Sequence, residues 1–369
     1  MPANLKDILN ETAIRAMGRA LRGVDASFDA DAFARDAISG LADRELLQRA
    51  AWIADAMHRR LPKEYATAID IVVRSLPPPL TRTDDFGYEI LCMLPHVMFV
   101  ERHGLDHFES SIAAQYELTK RFSAERSIRA FLVRYPAETL SVLKTWATDA
   151  DPHVRRLVSE GIRPRLPWAP RLRDFQVDPS PVIELLELLR DDDERYVHRS
   201  VANCMNDIGK DHPDRLVDLC RKWMDGAPSG RKWIVGHALR SLVKAGHPGA
   251  LEILGAGAKP RVSVASVRFD PPRVKIGGRV EAWIELRSES RVAQDLLIDF
   301  AVHFVKSNGT RRPKVFKLRR LELDAGVTIT LRANVSFEPM TTRRSYPGRH
   351  AMDLRINGVV FPVGEFDVK

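Results

Sequence analysis

Apolar residues recur every three to four positions through the first two thirds of the chain, which predicts a succession of amphipathic helices over residues 1 to about 255. Proline, glycine and acidic turns separate these segments, and no convincing strand pattern interrupts them. After Gly255 the pattern changes to alternating apolar and polar residues, which is typical of half-buried strands. The hydrophobic pattern therefore predicts an all-α part followed by an all-β part.

Three segments of the helical part share one plan, in which a proline-opened apolar helix is followed by a turn and a second helix. They cover residues 136–161, 181–204 and 213–238. Corresponding apolar positions in the second helices are Val154, Val197 and Ile234, at offsets of 43 and 37 residues. This spacing is near that of HEAT-like helical repeats. We expect a HEAT-like array over residues 1–257, with one polar position of successive repeats lining a concave surface: Glu160, Asn203 and Arg240.

The C-terminal part has six segments with the alternation of strands: 262–269, 279–286, 296–304, 314–318, 327–331 and 348–356. Asn308-Gly309 and Asn357-Gly358 have the composition of hairpin turns. Six or seven short strands in this length indicate an immunoglobulin-like sandwich over residues 258–369. The expected fold class is thus multidomain: an all-α HEAT-like repeat array followed by an all-β immunoglobulin-like sandwich.

The net positive charge of the chain arises almost wholly from this C-terminal part. From Lys259 onward there are 21 Lys and Arg against 12 Asp and Glu, whereas the preceding residues hold 36 against 37. Such a partition suggests a polyanionic partner for the sandwich. Candidate basic pairs there are Arg311-Arg312, Arg319-Arg320 and Arg343-Arg344.

The cysteines and the lack of long apolar segments bear on location. Cys92, Cys204 and Cys220 are odd in number and lie in apolar periodic segments, so a disulfide framework is not expected. No segment approaches the roughly 20 uninterrupted apolar residues of a membrane span. We expect a cytoplasmic protein with no membrane association.

The segment 151–168 concentrates charge on one predicted helix and its exit, with the sequence DPHVRRLVSEGIRPRLPW. At helical spacing one face carries Val154, Leu157, Val158 and Gly161, and another carries His153, Arg156, Glu160 and Arg163. A basic stripe suits phosphate contact, yet Glu160 within it would repel the same phosphates. Either this carboxylate is a structural ion-pair partner, or it meets something cationic.

Common catalytic signatures are absent from the sequence: there is no G-x-S-x-G elbow, Walker loop or H-E-x-x-H helix. His103 and His107 lie four residues apart, but no cysteine or converging carboxylate accompanies them, so a metal site is not expected. Neither a metal nor an organic cofactor is predicted.

Four residues retain two interpretations from sequence. Glu125 is explained by capping after Ser123, or by chemistry. Glu160 is an intrahelical partner of neighbouring arginines, or a site residue. Asp207 lies near a predicted helix C-terminus, where the dipole disfavours a carboxylate, and this raises the case for function. Trp168 closes a loop against the array, or offers a π surface to a cationic or flat ligand.

The 151–168 motif within a HEAT-like array resembles the AlkC branch of the AlkC/AlkD DNA alkylation-repair glycosylases. The resemblance extends over residues 1 to about 255, and some members of that branch also carry an immunoglobulin-like C-terminal domain. It implies hydrolysis of the N-glycosidic bond of cationic alkylated bases, with 3-methyladenine and 3-methylcytosine as substrates and without deep base flipping. A carboxylate and an aromatic face can stabilise the positive charge of the lesion and of the departing sugar.

By the same resemblance, the family's acidic and aromatic active-site positions match Glu125, Glu160, Trp168 and Asp207. Asp207 would position or deprotonate the water and stabilise the sugar cation, the two glutamates would contribute field or water contacts, and Trp168 would stack. No lysine lies within the motif, so a Schiff-base lyase step is not expected.

The expected partner is double-stranded DNA containing alkylated bases, bound by a monomer. Candidate phosphate contacts follow the basic stripe and its extensions: Arg155, Arg156, Arg163, Arg165, Arg199, Lys232 and Arg240. The alternative of a different class is a non-catalytic HEAT-repeat scaffold that binds DNA or protein, the commonest use of such arrays. A scaffold would need no cluster of acids within its basic face.

Overall fold

The computed structural model describes residues 4–84, 86–338 and 344–369. These described residues form two compact units, one within 1–212 and 226–238 and one within 213–225 and 239–369. The predicted succession of a helical part and a strand-rich immunoglobulin-like part is confirmed. The predicted boundary at residues 257 and 258 falls between the last helix and the first strand, and as a domain limit it stays a prediction.

The first unit is built from short helices joined by tight turns. Its α-helices are α1 (Glu11–Val24), α2 (Ala30–Ile38), α3 (Leu46–Arg60), α4 (Tyr65–Arg74), α5 (Leu94–His103), α6 (Phe108–Thr119), α7 (Ile128–Arg134), α8 (Pro136–Trp146), α9 (Pro152–Gly161), α10 (Arg173–Val177), α11 (Ser180–Leu189), α12 (Arg195–Ile208) and α14 (Ser229–Ala238). Two 3-10 helices, Leu5–Ile8 and Tyr88–Met93, accompany them.

Local sequence explains where these helices begin. The Asp151 side chain accepts a hydrogen bond from the His153 amide, and Pro152 occupies the first turn of α9. Asn10 caps α1 in the same way through the Ala13 amide. The carboxylate of Glu64 caps α4 by accepting from two amides of its first turn. Each cap satisfies an amide that has no partner within its own helix.

The helices α9, α12 and α14 pack in sequence, α9 against α12 and α12 against α14. The predicted apolar register holds, because the corresponding residues are fully buried: Val154, Val197 and Ile234, then Val158, Val201 and Ala238. The predicted polar register does not extend to the third helix, since Arg240 follows α14 and begins another helix. The α12 residue in contact with Glu160 is Ser200, about one turn before Asn203.

Close packing of α7 against α9 depends on Gly161, the last residue of α9. A Cβ atom there would lie 2.7 Å from Cγ2 of Ile128, which is fully buried. We expect Gly161→Ala to lower the free energy of unfolding by about 1–3 kcal/mol through overpacking. Denaturation measurements on Gly161→Ala should be compared with Gly23→Ala, an exposed site in α1 where a new Cβ atom meets nothing within 4 Å. Equal stability of the two variants would contradict this packing account.

The second unit contains α13 (Pro213–Met224), α15 (Arg240–Ala245), α16 (Pro248–Ile253) and the strands. The strands are β1 (Val262–Asp270), β2 (Arg273–Val274), β3 (Arg279–Ser288), β4 (Gln294–Val305), β5 (Arg311–Leu323), β6 (Thr328–Ser336), β7 (Gly348–Ile356) and β8 (Val359–Val368). One sheet has the order β1-β3-β6 and the other β2-β8-β7-β4-β5. Apolar residues of both sheets share one buried core.

All six predicted strands are present, and β5 is longer than predicted. Two strands were not predicted: β2 has only two residues, and β8 contains Pro362 and Gly364, which obscure its alternation. The Asn357-Gly358 turn joins β7 and β8 with positive φ at both residues, as a type I′ hairpin requires. Asn308-Gly309 lies in the turn between β4 and β5.

Candidate active site

Six charged side chains of the first unit form an alternating row that we call the ion-pair network: Glu125, Arg156, Glu160, Arg163, Asp207 and Lys210. Arg156 lies between the two glutamates, with its Nη1 2.6 Å from Oε2 of Glu125 and its Nη2 3.7 Å from Oε2 of Glu160. Arg163 joins α9 to α12, because its Nη1 donates to Glu160 (2.5 Å) and its Nε to Asp207 (2.9 Å). Lys210 completes the row with its Nζ 2.7 Å from Oδ1 of Asp207. The structure thus brings together three of the four predicted site residues.

Different helix lengths bring Glu160 and Asp207 together. The helix α9 has 10 residues and ends at Gly161, whereas α12 has 14 and continues to Ile208. The last turn of α12 therefore extends beyond the end of α9, next to the residues that leave that helix. Arg163, two residues past α9, connects Glu160 at the end of α9 to Asp207 in the last turn of α12.

Glu160 is only 5% exposed, so the predicted polar face of α9 does not face open solvent. Burial alone would raise the pKa of this carboxyl, but the charges of Arg156 and Arg163 and hydrogen bonds from Ser200 and Arg163 outweigh it. The net effect is a pKa below the ordinary value of 4.5. Glu160 is therefore ionised at neutral pH.

The two arginines of the network remain charged despite their burial. Burial would lower the pKa of Arg163, but the charges of Glu160 and Asp207 and their hydrogen bonds raise it above the ordinary value. The pKa of Arg156 is raised in the same way, mainly by Glu125 and Glu160 against the effect of burial. Arg156 also lies over the ring of Tyr196, at 5.3 Å from its centroid.

Asp207 is 1% exposed and lies in the last turn of α12, where the helix dipole opposes a negative charge, as predicted. Arg163 and Lys210 each bind one of its carboxylate oxygens. Lys210 differs from the other members because its side chain is 44% exposed. One oxygen of a buried carboxylate is thus covered by a cation that itself reaches solvent.

Trp168 lies on the segment that leaves α9, and its backbone is strained, with φ of +62°. Its side chain is 61% exposed, so the interpretation of a residue packed into the array does not hold. An aromatic face held outward in a left-handed conformation is unusual for a bulky residue. This geometry favours use of the indole as a contact surface.

A cavity of about 280 Å³ lies beside Glu125, Arg156 and Trp168. Aromatic side chains form much of its wall: Phe86, Phe122, Tyr196 and Trp168. Glu160 and Asp207 do not line it. Glu125 lies in the turn before α7, where Ser123 donates a hydrogen bond to its carboxylate (3.0 Å). The N-cap of α7 is Ser127, which makes no side-chain cap hydrogen bond, so Glu125 does not cap this helix as predicted.

The predicted phosphate contacts have different surroundings. Arg156 and Arg163 belong to the ion-pair network, Arg155 pairs with Asp192 (2.6 Å), and Arg165 pairs with Asp211. Arg199 and Lys232 are exposed, and Arg240 is half-buried in the second unit. The row that looked basic in sequence is therefore neutralised over much of its length, and Arg199 and Lys232 are the candidates most accessible to a phosphate.

The sequence analysis did not single out three residues that contact this site. Ser200 donates to Glu160 (2.6 Å), Tyr196 lies under Arg156, and Lys210 binds Asp207. Lys210 had a detectable signal, because it follows Asp207 by three residues and side chains at this spacing meet on a helix. Ser200 and Tyr196 act across helices, and no local pattern points to them.

No group of three or more potential metal ligands occurs among the residues that the structure describes. His103 instead lies 3.0 Å from Asp55 and stacks on His58, while His107 stacks on Tyr65. The helices within these described ranges all lack the combination of length and apolar character that a membrane span requires.

Comparisons with known proteins cover both parts of the chain. Residues 120–224 match the family described as "DNA alkylation repair enzyme", and residues 263–369 match the C-terminal Ig-like domain of the uncharacterised protein YhaZ. Over 367 residues, and 99% of both chains, the sequence is 32% identical to the uncharacterized protein YhaZ of Bacillus subtilis. It is 36% identical to Pseudomonas fluorescens alkylpurine DNA glycosylase AlkC, solved bound to DNA containing an abasic site analog, with a TM-score of 0.92 over 99% of each chain.

Proposed function

The chain belongs to the AlkC branch of the AlkC/AlkD DNA alkylation-repair glycosylases, and from this membership we propose that it hydrolyses the N-glycosidic bond of cationic alkylated bases in DNA. The ion-pair network is the observation that carries the proposal. The network contains three carboxylates, of which those of Glu160 and Asp207 are buried and that of Glu125 is partly exposed. Contacts with arginines keep Glu160 ionised. A binding scaffold has no need of such a cluster.

Cationic substrates suit a group of fixed carboxylates. An alkylated base carries positive charge before the bond breaks, and the sugar gains oxocarbenium character as the base leaves. Carboxylates held in place beforehand stabilise this charge without reorganising during the reaction. Low solvent access strengthens the effect, because water screens the charges less.

Asp207 is proposed to contact the sugar cation and to position or deprotonate the attacking water. Both of its oxygens bind cations, Arg163 and Lys210, and of these two Lys210 is the more accessible to solvent. Displacement of Lys210 toward a DNA phosphate would leave Oδ1 open to the reacting sugar. No lysine lies within residues 151–168, so hydrolysis without a lyase step is proposed.

Glu125 and Trp168 are proposed to act at the other end of the network. Both line the cavity beside Arg156, and the exposed indole can stack on a base or sugar. Glu160 lies between this end and Asp207, and is proposed to supply field to both. Glu160 also forms ion pairs with two arginines, which is the structural role expected from the sequence. Its structural role and its proposed role in the site are therefore compatible.

The finer substrate assignment is to 3-methyladenine and 3-methylcytosine in double-stranded DNA, attacked without deep base flipping. The solved AlkC of Pseudomonas fluorescens was bound to DNA with an abasic site analog, which supports DNA as the partner here. A monomer in the cytoplasm, working without metal or organic cofactor, completes the proposal.

The test is release of methylated base from an alkylated duplex by the purified chain, followed by chromatography. Wild type should release base, and Glu160→Gln and Asp207→Asn should release it far more slowly. If wild type releases nothing, the enzyme proposal fails and the scaffold remains. If both variants keep full activity with unchanged DNA binding, the assignment of site residues fails instead.

The sandwich is proposed to add electrostatic contacts through its edge strand β5. This strand carries six basic residues: Arg311, Arg312, Lys314, Lys317, Arg319 and Arg320. Arg311 pairs with Glu365, and Arg320 lies near Asp295, whereas Arg312 and Arg319 are exposed. Of the Arg343-Arg344 pair named from sequence, Arg343 lies outside the described residues.

We expect the double variant Arg312→Gln/Arg319→Gln to weaken DNA binding and to reduce the slope of log affinity against log salt by about 1–2. The slope falls because a complex with fewer phosphate contacts releases fewer counterions when it forms. Fluorescence anisotropy with a labelled duplex at several salt concentrations measures this slope. Arg332→Gln is the control, since Arg332 lies on the other sheet and pairs with Glu281. An unchanged slope in the double variant would argue against DNA contact at β5.

A further inference from the structure

Two arginines near the start of α7 hold the segment that carries Trp168. Arg129 is 3% exposed, and its guanidinium donates hydrogen bonds to three backbone carbonyls. Its Nη1 donates to Gly161 (2.9 Å) and Arg163 (2.7 Å), and its Nε to Pro170 (3.0 Å). A buried guanidinium satisfied by carbonyls is costly, which suggests that its placement serves a specific purpose.

Arg126, three residues earlier, holds the same segment at its centre. Its Nη1 donates to the backbone carbonyl of Trp168, and its Nε donates to Glu101 at 2.7 Å. Glu101 thereby fixes the orientation of the guanidinium. Together the two arginines bind the segment at its start, its middle and its end.

The carbonyls bound by Arg129 explain why an arginine is needed. Gly161 ends α9, and the carbonyls of a last helical turn lack partners within the helix. A cation there is also favoured by the helix dipole. Only the planar, five-donor fork of arginine can serve carbonyls on both sides of the segment at once, since a lysine ammonium is a single point charge. Burial among carbonyls lowers the pKa of Arg129 to about 10, which still leaves it charged at neutral pH.

We infer that Arg126 and Arg129 are positioning residues that hold Trp168 in its strained, outward conformation for contact with the reacting nucleotide. The inference rests on the proposed function. Without these contacts, a tryptophan with φ of +62° and a largely exposed indole would relax to a less strained backbone. The same hydrogen bonds place Arg163, so the end of α9 and the indole are set by one pair of side chains.

A double-mutant cycle separates this role from general support of the fold. Base release is measured under enzyme excess for Arg129→Lys, Trp168→Ala and the double variant. We expect Arg129→Lys alone to slow release about 10- to 100-fold, as misplacement of a contact group does. In the Trp168→Ala background the same change should cost clearly less, and the loss that remains there measures the contribution of Arg129 to the placement of Arg163. Equal losses in both backgrounds would overturn the inference.

Fluorine NMR of 5-fluorotryptophan-labelled protein provides a readout that needs no activity. Trp168→Phe identifies the resonance of Trp168. Arg126→Met and Arg129→Lys should shift or broaden that resonance, while Arg134→Met, an exposed arginine at the end of the same helix, should leave it unchanged. An unmoved resonance in Arg126→Met, which removes a partly exposed side chain and should fold, would overturn the inference. If wild type releases no base, the proposed function fails, and the NMR result still decides whether the arginines hold Trp168.

Discussion

Arg163→Met should be among the most destabilising substitutions in the helical unit, with a loss of about 3–5 kcal/mol in the free energy of unfolding at pH 7. Arg163 forms ion pairs with both Glu160 and Asp207 and so connects the two buried carboxylates of the ion-pair network. Its removal leaves two buried carboxylates with one fewer cation between them. Removing one partner of a buried ion pair is more destabilising than replacing the whole pair by apolar residues, because the remaining charge stays desolvated.

The loss should depend on pH with a defined sign. In wild type the pKa of Glu160 is below its ordinary value of 4.5, so its contribution to stability is complete above that value and is lost only as pH falls below it. In Arg163→Met, Glu160 loses one of the two arginines that oppose the effect of burial, so its pKa rises and its protonation relieves the repulsion as pH falls from 7 to 5. The difference in stability between wild type and variant should therefore shrink over this interval.

Urea denaturation at pH 7, 6 and 5 measures the effect. Arg165→Met is the matched control, since Arg165 lies two residues further on and pairs with the more exposed Asp211. The loss in the free energy of unfolding for Arg165→Met should stay near or below about 1 kcal/mol, as is typical of partly exposed ion pairs. The account of the network would be contradicted if the difference in free energy of unfolding between wild type and Arg163→Met stayed constant or widened toward pH 5.

Much of the fold follows from the sequence, because periodicity reports which faces are buried. Val154, Val197 and Ile234 were aligned by spacing alone, and all three are fully buried. The strands were found for the same reason, except β2, which is too short for a pattern, and β8, whose proline and glycine break its alternation. Local signals identify elements, and they fail where an element is short or irregular.

The site could be predicted only in part. The motif residues and Asp207 were named from family resemblance, and the structure brings Glu125, Glu160 and Asp207 into one network. The assignment of Arg156 and Arg163 to an open basic stripe missed their burial, because sequence spacing on α9 gave no information about α12 on the other side. Arg129 could not be singled out, since an arginine in an amphipathic helix usually faces solvent.

Asp207→Asn should cause the largest loss of activity of any single substitution named here, about 10²- to 10³-fold in the rate of base release. Asparagine keeps the shape of the side chain and a hydrogen-bond acceptor for Arg163, but it removes the negative charge that faces the proposed sugar cation. Affinity for undamaged duplex should change little or rise slightly, because a carboxylate near DNA opposes binding.

Asp211→Asn provides the matched control for this loss. Asp211 follows α12 by three residues and also binds an arginine, but its partner Arg165 lies outside the ion-pair network. Its substitution should leave the rate of base release within about 2-fold of wild type. Thermal denaturation of both variants checks that differences in activity do not arise from unfolding.

The central claim, that buried carboxylates of the network act on a cationic lesion, is tested most directly by one rate measurement. A duplex with a single 3-methyladenine is mixed with excess protein, and the rate constant for release of the base is compared between wild type and Asp207→Asn. The account predicts release by wild type and a rate at least about 10²-fold lower for the folded, DNA-binding variant. Equal rates for the two proteins would contradict it.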